Sequence, residues 1–149
     1  MMRSLLLSLA CLLASSIGFA GEHDAFNQVA KAKLFAFGGI GFAGTTTESE
    51  VAFREIRASG TAEADFLRLL REANPQGQSY ALVGLRLSNF ALFQEQVKPF
   101  LGSSTNVETA GGCMLRTVKQ SELAAEIKAG HYDESARREI AKPPIPAQK

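Results

Sequence analysis

Residues 79–87, Ser-Tyr-Ala-Leu-Val-Gly-Leu-Arg-Leu, are apolar almost throughout, so they belong in the interior whatever conformation they take. A buried strand there would place a sheet at the centre of the molecule, and a buried helix would make it a helical assembly. A helix is expected, because Tyr80, Val83, Gly84 and Leu87 then share one face and Gly84 permits close approach of a neighbouring helix.

The flanking residues punctuate this segment. Asn74-Pro75-Gln76-Gly77 halts the preceding element, since proline lacks the N–H that a helix interior needs. Asn89 caps a following helix carrying Phe90, Phe93 and Val97, which Pro99 kinks or ends early. Further upstream, Thr47 with Glu50 three residues on forms a capping box for a helix with Ala52, Phe53 and Ile56 inward. Ser59-Gly60 interrupts it, and Thr61 caps a second helix with Ala62, Phe66, Leu69, Leu70 and Ala73 on one stripe. Glu48 and Glu50, like Glu63 and Asp65, are assigned to first turns, where acids face the positive end of the helix dipole. Arg68, Arg71 and Glu72 read as a solvated face. A short polar stretch over residues 22–33 places Ala25, Phe26, Val29 and Ala32 near helical spacing.

Glycine dominates the two regions expected to be extended. Residues 34–37 and 40–44 flank Gly38-Gly39 and suit two short strands about a tight turn, or else a glycine-rich loop. Residues 106–109 and 113–118 flank Ala110-Gly111-Gly112 as a β-hairpin. Ser121 is expected to cap a last helix with Leu123, Ala124 and Ile127 inward and Gly130 as its terminating glycine. The whole is expected to be a helix-dominated α+β domain over residues 21–133. It would hold four or five packed helices and one or two short β-hairpins, with a flexible charged and proline-rich tail over residues 134–149. The antiparallel helices around residues 67–93 resemble α-helical repeats of the HEAT type over about a third of this domain, and no functional residue is carried across.

The first 20 residues have the three parts of an export signal: a basic start at Arg3, an apolar run and the small-residue end Gly18-Phe19-Ala20. Cleavage after Ala20 would release a chain, periplasmic or extracellular, with no transmembrane segment. Leu9-Ala10-Cys11 faintly resembles the lipobox of bacterial lipoproteins, but Ser8 stands where that pattern has an aliphatic residue. With Arg3 gone, the 16 basic residues become equal to the 15 acidic ones, and neutrality argues against nucleic acid as a partner.

No complete catalytic, cofactor or metal motif occurs. Gly39, Gly41 and Gly44 spell G-x-G-x-x-G, which can cradle phosphate at a helix N-terminus. A dinucleotide site needs a strand-end acid about 20 residues on, whereas Glu63 and Asp65 fall in a helical stretch. A P-loop needs lysine where Thr45 stands, so the glycines are expected to be a turn feeding the Thr47 helix, with no cofactor. His131-Tyr132-Asp133 sets an imidazole beside a carboxylate, but catalysis needs groups that converge in space. His131 is expected to serve the free carbonyls at a helix end. His23-Asp24 is expected to be a frayed terminus. Cys113 is the one cysteine beyond the leader and is expected to be a buried small hydrophobe, with an intermolecular bridge or reactive thiol as alternatives.

The expected role is a non-catalytic binding or envelope-associated module that presents a surface to another protein or a cell-envelope ligand. An exposed apolar patch near residues 39–47 would mark it. The alternatives are a small hydrolase-type enzyme whose site forms only in three dimensions from His131, Asp133, Cys113 or the helix-start glutamates, and a homodimer linked through Cys113.

Overall fold

The computed structural model describes residues 19–138. Its elements run α1 (Phe19–Ala30), α2 (Glu48–Ala58), α3 (Ala62–Glu72), α4 (Pro75–Ser88), α5 (Phe90–Gln96), a 3-10 turn (Lys98–Gly102), β1 (Asn106–Gly111), β2 (Met114–Lys119), α6 (Gln120–Ala129) and α7 (Asp133–Arg137). This is the helix-dominated α+β domain expected; among the described residues it has seven helices, two of them short, where four or five were expected, and one antiparallel hairpin.

Everything is built on α4. The ambiguous apolar segment is helical because both ends are set locally: the Asn74 side chain accepts from the Gly77 N–H at 2.9 Å, and Pro75 occupies the first turn. Asn89 closes the far end, and its side chain accepts from the Leu92 N–H at 3.1 Å to start α5. Residues from Ser79 through Leu85 are all buried, so α4 is enclosed by α1, α2, α3, α5, α6 and β1. Two glycines permit that enclosure. A Cβ on Gly84 would lie 2.4 Å from the Phe66 ring of α3, and one on Gly77 would lie 2.5 Å from the Val29 carbonyl oxygen of α1.

Aromatic rings fill the centre. The Tyr80 ring lies 5.0 Å from Phe35, 5.2 Å from Phe37 and 5.8 Å from Phe53, and Phe53 in turn lies 5.6 Å from Phe66. The Tyr80 hydroxyl donates to the Ala36 carbonyl at 2.8 Å and accepts from the Ala36 N–H at 3.1 Å, fixing the chain between α1 and α2 to the central helix. Burial pushes its phenol from an ordinary 10.0 up to about 12, and Tyr132 is raised too, by burial and by its bond to Glu126.

Since the unfolded chain ionises first, the folded state holds more protons between pH 10 and about 12, and stability falls as pH rises through that window. Tyr80→Phe should remove its share of this fall, up to about 1.4 kcal/mol per pH unit at its steepest. The same variant should cost about 1–3 kcal/mol at neutral pH, because both Ala36 groups lose their partner. Urea midpoints measured from neutrality to alkaline pH check both effects.

Residues 34–44 are the glycine-rich loop, not a hairpin. Gly38, Gly41 and Gly44 have φ of 83°, 68° and 62°, which a strand cannot hold. The loop instead lies along the free edge of β1: the Phe35 N–H donates to Glu108 at 2.8 Å, the Ala110 N–H to Phe35 at 3.1 Å and the Gly41 N–H to Gly112 at 2.8 Å. It supplies a third partner to a hairpin that two strands alone would leave marginal.

Two boundaries differ from expectation. Helix α6 begins at Gln120, not under a Ser121 cap, because the buried Gln120 side chain accepts from Ser103 Oγ at 2.8 Å and donates to Gln78 at 2.9 Å. The packed unit also continues past Asp133, where the domain was expected to end, since α7 follows and its Ala136 is fully buried.

Candidate functional site

The groups considered for chemistry are dispersed. Asp133 forms an ion pair with Arg86 Nε at 2.9 Å and fastens α7 to α4. Arg86 also donates to the Lys128 carbonyl at 3.0 Å, while the Gly130 and His131 N–H groups close the end of α6. The capping role expected of the His131 side chain is therefore taken by Arg86 and the backbone, and His131 is exposed at a pocket rim. Cys113 is exposed, not buried, because the Gly112-Cys113 connection is the outer turn of the hairpin. It lines a different concavity from His131. Glu63 accepts from the Asn89 side chain at 3.0 Å and Asp65 from the Thr61 hydroxyl at 2.6 Å, as first-turn acids should. The His23 side chain and the leader up to residue 18 lie outside the described residues. Among the described residues, no group of three His, Cys, Asp or Glu is placed to hold a metal ion.

An anion is bound beside the glycine motif, not by it: the anion is internal, and the glycine that meets it is Gly38. Glu50 is buried, and its carboxylate accepts from the Gly38 N–H at 3.2 and 3.1 Å. It also accepts from Arg54 Nη2 at 2.5 Å. Arg54 then donates to the carbonyls of Ser135, Ala136 and Arg138, tying α7 to α2. Thr47 makes its half of the capping box, accepting from the Glu50 N–H at 3.1 Å, but the Glu50 side chain turns inward. Gly41 and Gly44 direct their N–H groups to Gly112 and Gly41 carbonyls, and Gly39 sits so close to Gly44 that a Cβ would be 2.6 Å from its carbonyl oxygen. These three glycines form a closed loop rather than an open phosphate cradle. Glu50 was visible only as a helix-start acid, because its partner lies twelve residues away across the fold.

What the loop and hairpin leave open is an apolar face. Phe42 is 103 % exposed, Leu115 71 % and Met114 65 %, more than any other large apolar side chain among the described residues. The bonds from Glu108 and Ala110 to the loop set the hairpin's geometry: Val107, Thr109 and Gly111 face β2, opposite Val118, Arg116 and Met114. The backbone groups of Leu115 and Thr117 then point away from β1, and no partner strand lies beyond them among the described residues. One face of the hairpin, carrying Ala110 and Leu115, borders an apolar groove of about 480 Å³ with Leu34, Ile40 and Cys113. The other face, carrying Thr109, Met114 and Arg116, looks toward α7 across a concavity of about 370 Å³.

No family model matches the chain, and neither a curated protein nor a solved structure gives a significant match.

Proposed function

We propose that the protein is an exported, non-catalytic binding module that docks another protein on the tip of its hairpin. The observation that carries this is the exposure of Met114 and Leu115 on β2, whose outer edge is open, together with that of Phe42 on the loop that pairs with β1. Apolar side chains left in water mark interaction surfaces. A partner polypeptide can also use the outward N–H and C=O groups of Leu115 and Thr117, which an apolar lipid surface cannot satisfy. The export signal read from residues 1–20 supports the location. Asp133 is engaged by Arg86, and His131 and Cys113 line different concavities, which favours the binding reading over the enzyme alternative.

The test is a photo-crosslinking residue placed at position 42 and, as a control, at the exposed Arg71 of α3, in the cell that makes the protein. A discrete adduct heavier than the monomer at position 42, absent at position 71, is the expected result. Monomer alone at position 42, or the same adducts at both positions, would overturn the proposal.

Cys113 supports a second arrangement. Its thiol is exposed at the rim of the apolar groove, so two copies meeting on this face could form a disulfide in an oxidising compartment. A doubled mass in non-reducing electrophoresis that collapses on reduction is expected for that arrangement. Cys113→Ser should then abolish the dimer and shift stability by no more than about 0.5 kcal/mol, since the residue packs against little. A protein that runs only as monomer rejects it.

A further inference from the structure

The concavity on the α7 side of the hairpin has a composition that the apolar face does not explain. Its floor is aromatic: Phe35 is buried, while Phe37 and Tyr132 are half-covered, with ring centroids 5.5 Å apart for Phe35–Phe37 and 5.0 Å for Phe35–Tyr132. The Tyr132 hydroxyl is already engaged, donating to Glu126 at 2.8 Å, which leaves its ring as the surface offered. The wall is Met114 and Arg116 of β2, and His131 stands at the rim.

Arg116 is out of keeping with its position. It lies on the hairpin face that also carries buried Val107 and half-buried Val118, where the alternation of a strand calls for an inward residue. Arg54, Arg68, Arg86 and Arg138 each hold a carboxylate at 3.0 Å or closer, whereas no carboxylate lies within ion-pairing distance of Arg116 among the described residues. A guanidinium with no carboxylate partner among the described residues, lining the same concavity as aromatic rings that are still partly in water, offers a charge and an apolar slot together.

We infer that this concavity binds a small carboxylate carrying a flat apolar body. Arg116 holds the carboxylate through its planar fork, and the rings of Phe37 and Tyr132 take the body. The volume, about 370 Å³, suits a single-ring acid rather than a large cofactor. The site shares Met114 with the exposed apolar residues, but it opens on the side of the hairpin opposite Leu115 and Cys113.

The probe is phenylacetate, followed by amide chemical shifts in the full folded chain, with phenylacetamide and acetate as comparisons. Saturable shifts at Arg116, His131 and Tyr132 are expected with phenylacetate. Affinity should fall about tenfold or more for the neutral amide and for Arg116→Gln, as loss of one charge-assisted contact implies. Met114→Glu, which sets a carboxylate two residues from Arg116 on the same strand face, should also abolish binding with an unchanged melting temperature. Absence of saturable shifts up to about 10 mM, equal binding of the amide, or equal binding of acetate as an adventitious ion only would each overturn the inference.

Discussion

Replacing Glu50 with alanine is expected to destabilise the fold by about 3–5 kcal/mol, the usual cost of removing one member of a buried ion pair. Glu50 is 1 % exposed, and its carboxylate is the acceptor for both the Gly38 N–H and the Arg54 guanidinium. Without it, Gly38 loses its partner, and Arg54, whose Nε already has none, keeps a nearly buried charge facing only carbonyls. Glu50→Gln retains an acceptor for Gly38 and should cost less, about 1–3 kcal/mol. Glu50→Leu combined with Arg54→Met should lie closer to the parent than Glu50→Ala does, because no unpaired charge remains. Urea midpoints of the four proteins read this out, and a double variant that loses as much stability as Glu50→Ala, or more, would show that the pair does not act as a unit.

The second large effect is expected at the crossing of α3 and α4. Gly84→Val should cost about 3 kcal/mol and lower the melting temperature of a domain this size by about 10 °C. Valine's first carbon alone would sit 2.4 Å from the Phe66 ring, and Phe66 has no room to retreat because it is fully buried against Phe53. Removing a helix-interior glycine would normally gain about 1 kcal/mol, so a loss of this size requires the steric clash to dominate. Truncating the opposing ring tests the cause: Phe66→Leu should recover part of the loss in the Gly84→Val background, although it destabilises the parent. A Gly84→Val protein that melts at or above the parent temperature would show that α3 and α4 are not this close.

The features legible in the sequence were those set within a few residues. Thr47, Asn74 and Asn89 each cap the helix expected of them or of the segment they bound, because a side chain that accepts from an N–H three residues on needs nothing from the rest of the fold. The α4 segment was legible as interior from its composition, and Gly84 as the place of close approach. What stayed hidden depended on distant partners. Glu50 reads as a first-turn acid until the loop brings Gly38 over it. The glycines of residues 38–44 fit a turn or a loop equally well, and the bonds to Glu108, Ala110 and Gly112 decide the matter. Helix α7 is too short to stand alone and is held by Arg54 and Arg86 from other helices. Cys113 and Arg116 look like ordinary hairpin residues in sequence, and only the strand register assigns one to the exposed tip and the other to the aromatic concavity.

The proposal that this domain works outside the cytoplasm as a cleaved single module is tested most directly by the intact mass of the exported protein under non-reducing conditions. One monomeric species beginning at Gly21, with Cys113 unlinked, is the predicted result. A chain that still begins at Met1, or one that begins at a lipidated Cys11, would contradict it.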